Sequence, residues 1–148
     1  MAQHLRAKAL ALLARRDYSR AALAKKLAPH AESEAALNCL LDALVAASLL
    51  SDARYASNRV GARGVRYGNA RLAYELGQEG VPVEEVAAAI AEADAESGRC
   101  HLVWQKKFSA LPVTLPERAR QVRFLRQRGF SSASIRQVLG ETELDDVS

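Results

Sequence analysis

Aromatic side chains make up only 5% of the 148 residues, and β-branched runs are nearly absent. That poverty argues against a large sheet core, whereas the abundant alanine and leucine are strong helix formers. No apolar run approaches the roughly 20 residues that a membrane-crossing helix requires. The apolar stretch 9–14 is short and ends in Arg15-Arg16 with no small-residue cleavage site after it, so it is not read as a secretion signal. Its periodicity continues smoothly, which makes the arginine-rich start part of the fold rather than a transit segment. Cysteine is scarce: Cys39 and Cys100 form no paired motif. A reducing, cytoplasmic setting fits them, and Cys39, inside an apolar helical pattern, is expected to be buried. The three histidines, His4, His30 and His101, have no i,i+4 histidine partner and no metal-binding spacing. Neither a P-loop nor a G-x-G-x-x-G or G-x-S-x-G motif occurs. Glu84-Glu85 and Asp145-Asp146 are read as solvated surface carboxylates. The expectation is no enzyme, no cofactor and no metal.

What the chain does contain is a repeat. Shifted by 49 residues, Leu27, Leu76 and Leu125 coincide, as do Ala31, Gly80 and Gly129, then Leu37, Val86 and Ile135, then Leu41, Ile90 and Leu139. Tyr18 matches Tyr67, Arg71 matches Arg120, and Tyr55 matches Trp104. Each copy reads as three short helices: about 5–15, 20–27 and 34–47; then 52–63, 70–79 and 82–92; then 97–108, 116–128 and 132–139. In the first copy Leu10, Leu13, Leu23, Leu27, Leu37, Leu40, Leu41 and Leu44 supply the apolar stripe. Ser19 and Ser131 are placed to cap helices, Thr114 and Glu117 stand at capping-box spacing, and Gly80 supplies a helix stop.

None of these helices is long enough to hold in water alone, so each must bury its stripe against neighbours. The expected architecture is all-α: three tandem three-helix repeats (1–50, 51–95 and 96–140) in an elongated, curved molecule, followed by an acidic tail at 141–148. The segment 109–116, with two prolines, is the expected hinge.

Charge alternates with the repeat. Residues 1–30 carry seven basic and one acidic side chain, a net of +6, whereas 31–50 carry −3. Residues 51–80 carry +2, 81–98 carry −5 and 99–136 carry +8 within a total of +4. Stacked in register, such units would line cations along one side, which is what a phosphate backbone attracts through counterion release. The competing reading is a set of solvated helix faces charged in blocks.

Arg59, Arg63, Arg66 and Arg71, and then Arg118, Arg120, Arg123, Arg126 and Arg128, are the strongest candidates for contact. Arginine at this density suits planar recognition of phosphate or carboxylate. Arg20, Lys25, Lys26, Arg54, Lys106 and Lys107 extend the set. Tyr67 joins it because Tyr18 and Tyr67 each precede a helix start, where exposure is expected. Tyr55 and Trp104 are expected to wedge between helices, and Asp52 to cap its own helix or pair with Arg54 or Arg71. No recognition helix with base-reading amides is evident, so any DNA binding is expected to ignore sequence.

The run Leu49-Leu50-Ser51-Asp52-Ala53-Arg54-Tyr55-Ala56, followed by Tyr67-Gly68-Asn69-Ala70-Arg71-Leu72, Glu75-Leu76 and Gly80-Val81, resembles the RecX family of bacterial RecA modulators. Tyr18-Ser19-Arg20 ahead of it and Arg123-Phe124-Leu125-Arg126-Gln127-Arg128-Gly129-Phe130 behind it extend the resemblance over nearly the whole chain. Ala22 and Ser51 depart from acidic residues usual in the family. The resemblance implies tandem three-helix repeats, and a monomer is expected. It also implies binding to RecA filaments on single-stranded DNA and suppression of their recombinase, ATPase and coprotease activities, hence a part in DNA repair and the SOS response. The two alternatives from the residues alone are a non-specific DNA-binding array and a helical adaptor for an acidic protein.

Overall fold

The computed structural model describes residues 2–140; the stretch read as an acidic tail, 141–148, lies outside the described residues. Nine α-helices and no strand occur among them. They are α1 (Ala2–Arg15), α2 (Arg20–Leu27), α3 (Glu34–Ala46), α4 (Asp52–Arg63), α5 (Asn69–Gln78), α6 (Val83–Glu92), α7 (Glu96–Lys107), α8 (Leu115–Gln127) and α9 (Ser132–Leu139). The 49-residue offset carries the start of α2 onto that of α5, and the start of α3 onto those of α6 and α9. Local chemistry sets the ends. Ser19 accepts from the Ala22 amide, Ser131 from Ser134, and Thr114 and Glu117 form the full capping box.

Contacts gather the described residues into two compact units. One lies within Met1–Asn58 and Glu75–Ala89, the other within Arg59–Tyr74 and Ile90–Ser148, so α4, α5 and α6 each contribute to both. In the first unit α1 packs on α2 and α3 around Leu5, Ala9, Tyr18, Leu23, Leu27, Leu37, Leu41, Leu44 and Leu50. The expected stripe needs correction in α1. Leu5 and Ala9 face the core, Leu13 is half-buried, and Leu10 is turned to solvent, because the helix presents positions 5, 9 and 12/13. Cys39 is exposed rather than buried: α3 commits Leu37, Leu41 and Leu44 inward, and two residues beyond Leu37 is the far side. Tyr18 is likewise buried, not exposed, with the Arg16 guanidinium 4.1 Å from its ring centre.

In the second unit α7 lies chiefly on α9, and the core is Cys100, Val103, Trp104, Leu125, Phe130, Ile135 and Leu139. Burial pushes the Cys100 thiol up to about 12, so it stays protonated and inert. Trp104 is wedged in as expected, and its indole N–H donates to Gln121 Oε1 at 2.8 Å. Tyr55 is buried in its own unit. The segment expected to be a hinge lies inside this second unit. Gln121 Nε2 donates to the Ala110 carbonyl at 3.2 Å and the Val113 amide donates to Glu117 at 2.8 Å.

One joint occurs twice. In the first unit the Ser19 hydroxyl donates to the Glu79 carbonyl at 2.6 Å, and the Arg20 amide donates to Asp52 Oδ1 at 2.8 Å. In the second, 49 residues on, the Gly68 amide donates to the Arg128 carbonyl at 2.8 Å and the Asn69 amide to Glu96 Oε2 at 2.7 Å. Each time, the amide end of a repeat's second helix meets the carbonyl end of the next repeat's second helix, which joins opposite dipole ends. The carboxylate that completes the cap is the first residue of the next repeat's first helix. Asp52 therefore caps α2, while Ser51 caps α4 by accepting from the Arg54 amide at 3.1 Å.

The joint explains the repeat's glycine. Gly80 and Gly129 have φ of +78° and +90°, and a Cβ there would stand 2.4 Å from Ala21 Cβ and 2.5 Å from Arg71 Cβ. Ala31, the first copy's counterpart, ends the 3-10 turn Ala28–His30 with φ −88°, a backbone conformation that any side chain adopts.

Candidate nucleic-acid and partner interface

Glu96 organises the base of the second unit's basic face. Burial pushes its carboxyl up, but the hydroxyls of Ser131 and Ser134 and the amides of Asn69 and Ser131 outweigh that, and the net shift is downward. The sign follows by linkage. A carboxylate held below its unfolded value stabilises the fold above the ordinary carboxylate range, and that contribution disappears as pH falls through the folded value. Wild-type thermal midpoints should therefore fall more steeply in acid, below about pH 4.5, than those of Glu96→Gln. Parallel curves from pH 7 down to acid would show that the carboxylate is not what holds this joint.

Three residues along α7, Arg99 is buried and spans three elements. Its guanidinium donates to the carbonyls of Tyr67 (2.8 Å), Asp94 (3.0 Å) and Gly64 (3.2 Å), and also to the Asn69 side chain. The Asn69 side chain is thus a ligand of Arg99. The turn between α4 and α5 is held in place from below, and Tyr67 is carried on it.

Around Tyr67 the structure gathers residues that are far apart in the chain. The guanidinium carbons of Arg71, Arg63 and Arg128 lie 4.3, 4.6 and 5.4 Å from its ring centre. Arg128 also lies 5.0 Å from the Phe124 ring, and Lys107 Nζ 5.5 Å from it. Phe124 stands edge-on to Phe108, centres 5.5 Å apart. Tyr67 itself is half-buried, so it is less open than its position before a helix start suggests.

The remaining candidates divide. Arg59, Arg66, Arg120, Arg123, Arg126 and Lys106 are exposed in the second unit, with Arg126 donating to Ser132 at 3.1 Å. Arg120, Phe124 and Arg128 follow one another at i,i+4 on α8 and so share a face. Lys25, Lys26 and Arg54 are exposed in the first unit, where Arg54 donates to the Ser48 carbonyl at 3.1 Å. Arg20 is half-buried and paired with Asp42 at 2.7 Å. Arg118 does not belong with the contact residues. It is buried and donates to the carbonyls of Leu139 and Gly140, closing the C-terminus of α9 with a favourably placed positive charge. Arg99, Glu96 and Phe124 were not among the sequence candidates. Only Phe124 had a signal, its i,i+4 spacing to Arg128.

The fold defines an all-helical protein of three-helix repeats with an arginine-rich, aromatic-studded face. The family model described as RecX, third three-helix domain, matches residues 94–139. The regulatory protein RecX of Chromobacterium violaceum is 43% identical over 142 residues, covering 96% of this chain and 93% of that one. Its counterpart in Leptothrix cholodnii is 44% identical over 136 residues, covering 91% and 87%. The crystal structure of RecX from Lactobacillus salivarius shares the fold, with TM-score 0.84, 17% identity and 97% of each chain covered. The chain belongs to the RecX family of regulatory proteins. No helix among the described residues is long and apolar enough to cross a membrane.

Proposed function

We propose that this protein binds RecA filaments assembled on single-stranded DNA and damps their ATPase, recombinase and coprotease activities, modulating DNA repair and the SOS response. The observation that carries the reading is the convergence of Arg63, Arg71 and Arg128 on Tyr67, in a chain that belongs to the RecX family. Like charges drawn together on a half-buried ring are suited to an anionic partner more than to holding helices together. The protein acts as a cytoplasmic monomer without a cofactor. Arg59, Arg66, Arg120, Arg123 and Arg126 widen the attracting field, and Arg20, Lys25, Lys26, Arg54, Lys106 and Lys107 add to it. Binding is non-specific in sequence. The small helical units linked in one chain raise each other's effective concentration along a filament, so individually weak contacts suffice.

The test is ATP hydrolysis by RecA already assembled on single-stranded DNA, titrated with this protein at fixed salt, beside anisotropy on the bare DNA. Inhibition is expected at protein concentrations at least tenfold below those that coat bare DNA. Inhibition that only tracks DNA coating would make the protein a competitor for DNA, and none would remove the role. Replacing Arg59, Arg63 and Arg71 by Glu together should abolish inhibition with the far-ultraviolet helical signal unchanged.

A further inference from the structure

The connection between α7 and α8 exposes apolar side chains where folding gains nothing from them. Residues 108–114 form neither helix nor strand, and the backbone is extended at both ends, with φ −122° at Phe108 and −108° at Thr114. Pro112 fixes its own φ and disfavours the helical region for Leu111. Alternate positions of an extended chain face one way. Here they are Leu111, Val113 and, at the first position of α8, Leu115, which are 54%, 90% and 59% exposed. No other five consecutive described residues expose three large apolar side chains. Single exposed ones are ordinary, but a row of them in a loop, where polar residues would cost the fold nothing, marks a contact surface.

The row is pinned in place. Gln121 on α8 donates to the Ala110 carbonyl at 3.2 Å, and Glu117 accepts from the amides of Val113 and Thr114 at 2.8 and 3.3 Å. Phe108 at its start packs edge-on to Phe124. A ridge fixed in advance loses little freedom on docking. The same bonds exclude strand addition: a partner strand would meet no amide at Pro112 and occupied ones at Val113 and Thr114. What the ridge offers is its side chains, and they are aliphatic. They present no π face on which a base stacks and no donor for a phosphate. An apolar groove on a protein is what they fit.

Charge narrows that groove. Between residues 97 and 140 the one acidic side chain is Glu117, and the Val113 and Thr114 amides hold its carboxyl below the ordinary value. Lys106 and Lys107, exposed in the last turn of α7, precede the ridge, and Arg120, exposed on α8, follows it. A groove with an acidic rim complements that layout.

We propose that Leu111, Val113 and Leu115 form a protein-docking ridge that seats in an acidic-rimmed apolar groove on the RecA subunits of the filament. This rests on the function proposed above and deepens it, because it separates the hold on the filament's protein from the hold on its DNA.

The experiment compares Leu111→Ser/Val113→Ser/Leu115→Ser with Val65→Ser/Leu102→Ser, a control at two apolar positions of the same unit that are each 58% exposed. Inhibition of RecA ATPase on single-stranded DNA is titrated for each, beside anisotropy on a fluorescein-labelled oligo-dT. The ridge variant should need at least tenfold more protein for the same inhibition while its oligo-dT affinity stays within twofold of wild type. The control should stay within twofold in both. A ridge variant that inhibits like wild type would overturn the docking and leave the regulatory role standing. A matching loss of oligo-dT affinity would overturn it in favour of a DNA contact. A wild type that sediments as a dimer, with a monomeric ridge variant, would overturn it in favour of a second copy of this chain. A wild type that binds oligo-dT without inhibiting RecA would remove the role and this docking together. Should the triple variant fail to fold, Val113→Asp and Val113→Lys put the same question at the most exposed position. Aspartate against an acidic rim should cost at least threefold more inhibition than lysine, and equal potency of the two would overturn the proposal.

Discussion

Gly68→Ala should destabilise the second unit by about 3 kcal/mol, the upper part of the range for forcing atoms into a filled contact. A Cβ at this position would stand 2.3 Å from the Gly129 carbonyl oxygen and 2.4 Å from the Gly129 carbonyl carbon and the Phe130 amide nitrogen. All three are backbone atoms, so no side chain can swing away. Relief requires moving α5 off the end of α8, which stretches the 2.8 Å bond from the Gly68 amide to the Arg128 carbonyl and the 2.7 Å bond from Asn69 to Glu96. The midpoint of thermal unfolding should fall by about 10 °C for a chain of this size. Gly61→Ala is the control of opposite sign. Nothing lies within 4 Å of a Cβ there, and inside α4 alanine is the better helix former by about 0.5–1 kcal/mol. A Gly68→Ala protein as stable as wild type would mean that α5 and the Gly129 turn do not meet as described.

Arg99→Met should cost about 1–3 kcal/mol, the range for leaving buried hydrogen-bond acceptors without their donor. Methionine fills the space of the aliphatic stem but leaves the buried Gly64 carbonyl and the half-buried Tyr67 and Asp94 contacts without their guanidinium donor. Lysine is not expected to rescue, since one ammonium cannot span three carbonyls and the Asn69 side chain in the plane that a guanidinium covers. The effect should also reach the Tyr67 cluster, because Arg99 holds the turn that carries it. Chemical denaturation measures the loss, and oligo-dT anisotropy under conditions where the variant is still folded measures the loosening of the cluster. Wild-type stability in Arg99→Met would show that water replaces the guanidinium at no cost and that Arg99 is not the anchor of this turn.

These two positions also show where reading the chain stops. Gly68 stands in the sequence just ahead of a helix start, but its need to be glycine comes from the backbone of a residue 61 positions later. Arg99 carried no signal, because three of its four partners are 30–35 residues away and an isolated arginine in a helix looks like any solvated one. Cys39 and Tyr18 were misplaced for a related reason. A helical pattern tells that one face is buried, but which face depends on the neighbour it meets. Arg118 looked like its neighbours in a basic helix and proved to be the clamp on the end of α9.

The amino-acid sequence alone determined the all-helical class, the helix ends and the 49-residue repeat. Each rests on interactions within a few residues: caps and helical periodicity. Only the tertiary structure decided that Asp52 and Glu96 cap helices of the repeat before their own. It alone brought Arg63, Arg71 and Arg128 to a single tyrosine. Those contacts form between helix ends that are dozens of residues apart, where position is set by the packing of whole helices and by the meeting of opposite dipole ends, and not by any local preference of the chain.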